Sequence, residues 1–255
     1  MSPEPIAPSD FYTGIVAEMY ARLRSEVFDA DPYARFVERS GQPALELGCG
    51  DGDPLLDLRA RGLDVEGLDS SPDMLERCRA AAAERGLDVT LHQATFEQMA
   101  LGRRYRSIYL AGATFNLLPD DDAARAALAR IAAHLHPDGS ALIPLFVPRA
   151  PADDEIGQVR EHTTEDGVGM RLTVVDIVRD EIARNQTTEL LYELRRNGHH
   201  EIVDRSWQLH WFEQEQFAAM VTAAGLETRS VRRENGRPAT SHDTAFTFAV
   251  CLPRA

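Results

Sequence analysis

Apolar residues recur at helical spacing in Phe11, Ile15, Met19 and Leu23, which predicts a first helix over Asp10–Arg24. A second helical stretch, Pro32–Arg39, follows a turn at Asp29–Asp31. The pattern then switches to short buried runs separated by helical ones. Ala44–Leu47, Val65–Asp69, Val89–His92, Ser107–Ala111 and Ala141–Phe146 read as strands, with helices over Pro54–Ala60, Pro72–Arg85 and Asp122–Leu135 between them. Alternating β and α units of this length imply a parallel sheet covered on both faces. Asp53 before Pro54 and Ser71 before Pro72 each place an N-cap ahead of proline at the first helical position. Pro137-Asp138-Gly139 stops the third of these helices and begins a turn over His136–Gly139.

From Met170 the period changes to two: Leu172, Val174, Asp176 and Val178 alternate with Thr173, Val175 and Ile177. Glu189–Arg196 and Glu201–Trp211 alternate as well, and Asn197-Gly198 between them is a hairpin signal. The expected structure is an antiparallel insertion of about three strands. Glu213–Ala224 returns to helix, and Leu226–Arg233 and Thr244–Leu252 supply two last strands. Met1–Ser9 reads as a disordered leader. The chain divides into a leader with cap helices (1–40), a core (41–149), the insertion (150–212) and a closing helix with strands (213–255).

Composition narrows the function classes. A net charge of −14 argues against a nucleic-acid partner, because phosphate backbones are bound by clustered cations. Many arginines and alanines, with no lysine, suggest a GC-rich bacterial source. Cys49, Cys78 and Cys251 are far apart and odd in number, which suits neither a disulfide framework nor a metal site. No window is apolar enough to span a membrane and none resembles a signal peptide, so a cytoplasmic enzyme is expected.

The segment with the most chemistry is Glu46-Leu47-Gly48-Cys49-Gly50-Asp51-Gly52, set between a buried strand and a helix. Glycines let a nucleoside approach the main chain closely, and the helix that follows presents free N–H groups to an anion. Asp69 closes the second strand about twenty residues on, where a carboxylate can accept both ribose hydroxyls. In the dinucleotide fingerprint the third glycine would fall at Asp53, and an acidic cap beside a pyrophosphate is repulsive.

The spacing E-x-G-x-G-x-G instead closely resembles the first motif of class I S-adenosylmethionine (SAM)-dependent methyltransferases. The resemblance covers roughly Tyr12–Val147 in order, plus Trp211–Leu226 and the final strands. It implies a Rossmann-like α/β fold: a mostly parallel seven-stranded sheet with helices on both faces, an N-terminal helical cap and an antiparallel lid. The lid resembles that of methyltransferases acting on small molecules, sugar and natural-product enzymes among them. The implied cofactor is SAM, with S-adenosylhomocysteine (SAH) as product. By the same resemblance Glu46, Gly48, Cys49, Gly50 and Gly52 face its methionyl and ribose part, and Asp69 with Ser70 holds the ribose. Met74 covers one side of the adenine, Thr95 stands where an acidic residue commonly accepts the adenine amino group, and Phe96 either stacks or is core. Ala111 and Gly112 leave room near the sulfonium, and Tyr20 contacts the methionyl end.

Tyr12, Phe115, Asn116 and Trp211 are the candidate substrate contacts, and His210 is a candidate base or a structural histidine. Asp120-Asp121-Asp122 caps a helix and faces water, and His199 and His200 are solvated. The expected reaction is methyl transfer to O or N of a small molecule by in-line displacement, with no metal. A SAM-binding protein without transfer and a nicotinamide-dependent oxidoreductase are the competing readings. Apolar lid strands such as Leu190–Leu194 would pack on the core or on a second subunit, as in a homodimer.

Overall fold

The computed structural model of the chain describes residues 10–23, 28–152 and 154–254. The leader expected over Met1–Ser9, and Arg24 at the end of the first expected helix, lie outside the described residues.

Four consecutive buried residues, Ala44–Leu47, form β1, as a strand covered on both faces requires. It pairs in parallel with β2 (Val65–Asp69) on one side and β4 (Tyr105–Leu110) on the other. β3 (Leu91–Gln93) adds to β2 and β5 (Leu135–Phe146) to β4, both in parallel. β11 (Ala245–Cys251) runs antiparallel between β5 and β10 (Glu227–Arg232). The seven-stranded order is β10-β11-β5-β4-β1-β2-β3, the mostly parallel sheet expected. Strand order reverses between β1 and β4, so a crevice opens at their carboxyl ends.

On one face α2 (Ala30–Ser40), α3 (Leu55–Ala60) and α4 (Pro72–Glu84) pack through Phe36, Val37, Leu58 and Leu75. On the other, α5 (Asp121–His134) and α6 (Gln214–Ala223) pack through Leu128, Ile131, Phe217 and Val221. Ser71 caps α4 as expected, accepting the Met74 N–H at 3.1 Å. Asp53 does not cap α3: the helix starts at Leu55 with Pro54 as N-cap and no side-chain cap bond.

β5 also departs from expectation. Its pairing with β4 jumps from Tyr105↔Leu135 to Ser107↔Ser140, so 136–139 bulge out of a strand already begun. A Cβ on Gly139 would lie 2.9 Å from the carbonyl oxygens of His136 and Tyr105, which is why glycine stands there.

The lid has four strands rather than three: β6 (Val159–Thr163), β7 (Gly169–Asp180), β8 (Asn185–Arg196) and β9 (His199–His210), antiparallel in that order. β6 is a polar edge strand whose one apolar residue, Val159, is exposed, so it carries no period to read. Asn197 and Gly198 both have positive φ (51° and 78°), as a two-residue hairpin turn of the primed type needs. α1 (Ile15–Leu23) covers one lid face, with Ile15, Met19 and Leu23 against Met170, Leu190, Tyr192 and Leu194.

Candidate active site

The glycine turn leaves β1 at Gly48, where φ is +73°. A Cβ there would lie 2.6 Å from Thr114 Cγ2 and 3.3 Å from Phe96 Cζ. Glycine therefore lets the loops after β3 and β4 close down on the turn. Gly52 has a different task from the one expected. Its Cβ position lies 2.8 Å from Leu56 and 2.9 Å from Cys78 Sγ, so it packs the turn on α3 and α4, outside the crevice lining.

Asp69, at the end of β2, ties the turn from below. Its Oδ2 accepts the Gly50 N–H at 2.8 Å and its Oδ1 the Ser71 N–H at 2.9 Å. Burial pushes this carboxyl above the usual aspartate range, while the N–H groups of Ser71, Gly50 and Ser70 pull against that shift. The strap ahead of α1 is fastened to the same corner. The Ser71 hydroxyl donates to the Tyr12 carbonyl, and the Gly14 N–H donates to Asp73 Oδ2 at 2.6 Å.

The crevice holds about 940 Å³ of space counted out through its open mouth. Eleven of the expected residues line it: Tyr12, Tyr20, Gly48, Cys49, Gly50, Asp69, Ser70, Met74, Thr95, Phe96 and Ala111. Phe28, Asp51, Asp53, Glu97, Thr114, Leu117, Leu118 and Pro119 complete the wall. Their strongest signal in the sequence is adjacency, since Asp51 and Asp53 flank Gly52 and Glu97 follows Phe96. Thr95 Oγ1 is buried with no partner. Asp51, Asp53, Asp69 and Glu97 make the lining acidic, and among the described residues it contains neither arginine nor histidine.

The remaining expected residues lie elsewhere. Gly112 donates its N–H to the Tyr33 hydroxyl at 3.0 Å, and Phe28 occupies the space a Cβ would need. Phe115 is fully buried against Phe212 and Phe217. Asn116 Nδ2 donates to the carbonyls of Phe146 and His210, clasping β5 and β9 together. The Trp211 ring is buried beneath the Arg179 guanidinium, 4.1 Å away. His210 is 2 % exposed, edge-on to Phe212, with Nε2 2.8 Å from Asp121 Oδ1. Asp121 therefore turns inward and is only partly open to water, whereas Asp120 caps α5 and Asp122 is exposed.

Glu46 lies beneath the turn, fully buried, with Oε2 2.7 Å from the Tyr109 hydroxyl and Oε1 without a partner. Burial pushes its carboxyl well above the usual range. The folded chain then keeps a proton that the unfolded chain loses, so stability falls as pH rises from the unfolded value toward the folded one. Glu46→Gln removes this dependence. Thermal melts should place the variant about 2–4 °C above wild type at pH 8, for an effect of about 1 kcal/mol, with the gap closing near pH 5. An equal gap at both pH values would exclude the proton as its cause.

Residues 44–139 match the family described as Methyltransferase domain. Over 230 residues the chain is 30% identical to the dTDP-3-amino-3,6-dideoxy-alpha-D-glucopyranose N,N-dimethyltransferase of Streptomyces fradiae, covering 86% of each. The CcbJ methyltransferase of Streptomyces caelestis superposes with a TM-score of 0.76 at 21% identity, over 96% of this chain and 98% of that one. A SAM-bound amino pentose methyltransferase of calicheamicin biosynthesis, from Micromonospora echinaspora, superposes with a TM-score of 0.65 at 22% identity, over 96% and 99%.

Proposed function

This chain belongs to the class I SAM-dependent methyltransferases, and on that premise we propose that it methylates the amino group of a nucleotide-linked amino sugar. The observation that carries this reading is the acidic crevice wall, to which Asp51, Asp53, Asp69 and Glu97 contribute among the described residues. Such a wall attracts a cationic amine, and its described residues include no histidine, the usual base for removing the proton of an alcohol. The amino-sugar relative supports the same choice of acceptor.

The residues present fit the cofactor. Asp69 accepts main-chain N–H groups of the turn on both oxygens and still lines the crevice, where its remaining acceptor capacity can meet the ribose hydroxyls. Gly48, Cys49 and Gly50 offer bare main chain to the methionyl end, with Tyr20 across from them. Met74 and Phe96 would flank the adenine, and the unpartnered Thr95 hydroxyl would meet its edge. Glu97, two residues on, supplies the charged acceptor that Thr95 cannot be.

SAM supplies the methyl group on a sulfonium whose leaving group is a neutral thioether. The protein's contribution is alignment and the exclusion of water, which together account for much of the barrier in such displacements. Tyr12 does not serve as a base: burial pushes its hydroxyl far above the usual tyrosine range. The ammonium drawn to the wall gives up a proton to solvent or to a wall carboxylate, the free amine so formed attacks the methyl group, and the new ammonium loses its proton the same way before a second transfer. SAM and nucleotide-activated sugars are both made in the cytoplasm, where we place the enzyme.

The test is a labelled-methyl assay over dTDP-linked amino sugars, free amino sugars, simple amines and phenols. The expected product is an amine carrying one and then two methyl groups. Labelling of hydroxyl acceptors alone would overturn the assignment to nitrogen.

A further inference from the structure

The crevice is acidic, but the lid beyond it is not. Alternation along β8 turns Thr188, Leu190 and Tyr192 to the face that α1 covers. Their partners Trp207, Arg205 and Val203 on β9 share that face. Leu172 pairs with both Tyr192 and Arg160, which brings Arg160 of β6 to the same side. The Tyr192 hydroxyl senses both guanidiniums, which oppose the burial that pushes it up to about 12.

These donors lack acceptors. The chain has no lysine, so its fixed side-chain cations are arginines. In the lid Arg149, Arg171, Arg179, Arg184, Arg195 and Arg196 each pair with a carboxylate. Among the described residues Arg160 has no such partner, and Arg205 bonds only its neighbour's carbonyl, Asp204 O, at 3.0 Å. Arg205 Nε is buried and unpartnered, and the buried indole Nε1 of Trp207 has only the nearby Tyr12 hydroxyl to donate to. A buried donor without an acceptor is destabilising, more so when charged, so donors kept in this state point to a ligand that satisfies them.

We propose that Arg205 and Arg160, with the Trp207 N–H, bind the phosphate-bearing part of the acceptor. This rests on the amino-sugar reading and deepens it. The basic patch meets the acidic crevice at Tyr12, which lines the crevice and packs edge-on to Phe11, itself edge-on to Tyr192. A molecule with an amine at one end and a phosphate at the other matches the two charges in order. Arginine suits the phosphate end because its planar fork donates to two oxygens at once.

The experiment titrates dTDP, with thymidine as the uncharged control, into the full chain saturated with SAH. Wild type should bind dTDP at least 100-fold more tightly than thymidine, with affinity falling as salt is added. Arg205→Ala should weaken dTDP at least tenfold, Arg205→Lys and Arg160→Ala less, with SAH affinity unchanged in all three. SAH affinity also reports that each variant is folded, and Arg205→Gln, which keeps the length of the stem, guards against a packing defect. Undetectable dTDP binding, equal binding of thymidine, or an Arg205→Ala enzyme that binds dTDP normally would overturn the proposal. Arginine-dependent dTDP binding in a protein that methylates no amine would overturn the amino-sugar reading alone. Amine methylation indifferent to both dTDP and Arg205 would overturn this site alone.

Discussion

Replacing Asp69 with alanine is expected to weaken SAM binding by about 100-fold, the scale of two lost hydrogen bonds to a charged group. The side chain has two tasks. It holds the Gly50 and Ser71 N–H groups, and by our proposal it accepts the ribose hydroxyls. Alanine removes both, so part of the loss comes from a turn whose N–H groups are left without an acceptor, and the melting temperature falls as well. The 2′-deoxy analogue of SAH separates the two contributions. Wild type should bind it about tenfold more weakly than SAH, whereas the Asp69→Ala protein should not distinguish them. A variant that still discriminates would remove Asp69 from the ribose role. The same carboxyl predicts a pH dependence. It must be ionised to accept both hydroxyls, and burial raises its pKa, so wild-type affinity should fall on acidification at a pH above the ordinary aspartate range.

The features legible in the sequence are those with local causes. The turn after β1, the Ser71 cap and the hairpin at Asn197-Gly198 are each specified within a few residues, and the structure places all three as expected. The mostly parallel seven-stranded sheet followed from the alternation of elements and from the resemblance together, whereas the order of its strands came only with the structure. What the sequence does not record is the direction of a side chain whose local pattern permits two. Asp53-Pro54 has the composition of a capped helix start, yet the Asp53 carboxylate faces the crevice. His210 and Trp211 end a lid strand whose alternation separates its faces without saying what covers each one, and both turn into the protein. Phe28 reaches the crevice from far along the chain, filling the space that Gly112 leaves, and no spacing rule encodes such an approach. Thr95 is the instructive case. Its lack of charge is a fact of sequence, and Glu97 stands two residues on, but the structure is needed to show that both line the same wall.

The largest expected effect on stability belongs to Asp121, and it bears on what His210 is for. Asp121 lies 2.6 Å from Arg184 Nη2, 2.8 Å from His210 Nε2 and 3.1 Å from Gln216 Nε2. One carboxylate thus joins the start of α5 to the β7–β8 connection, the end of β9 and α6. Burial works to raise its carboxyl, but the bonds from Arg184 and His210 outweigh that and hold it below the usual range. Its contribution is therefore present above the unfolded value and is lost only as pH falls through the lower folded one. Removing one member of a largely buried ionic cluster costs about 3 kcal/mol, so Asp121→Ala should melt about 6–12 °C lower. Leu117, Leu118 and Pro119 in the crevice wall lie just ahead of this anchor, and Asn116 holds the His210 carbonyl. Loosening it should therefore lower kcat/KM for the acceptor while leaving SAM affinity within about twofold. If His210 is a member of this anchor and not a base, His210→Ala should reproduce the same melting and kinetic changes, and the double variant should fall well short of their sum. A His210→Ala enzyme with a normal melting temperature and a kcat lower by about 100-fold or more would instead make the histidine a base.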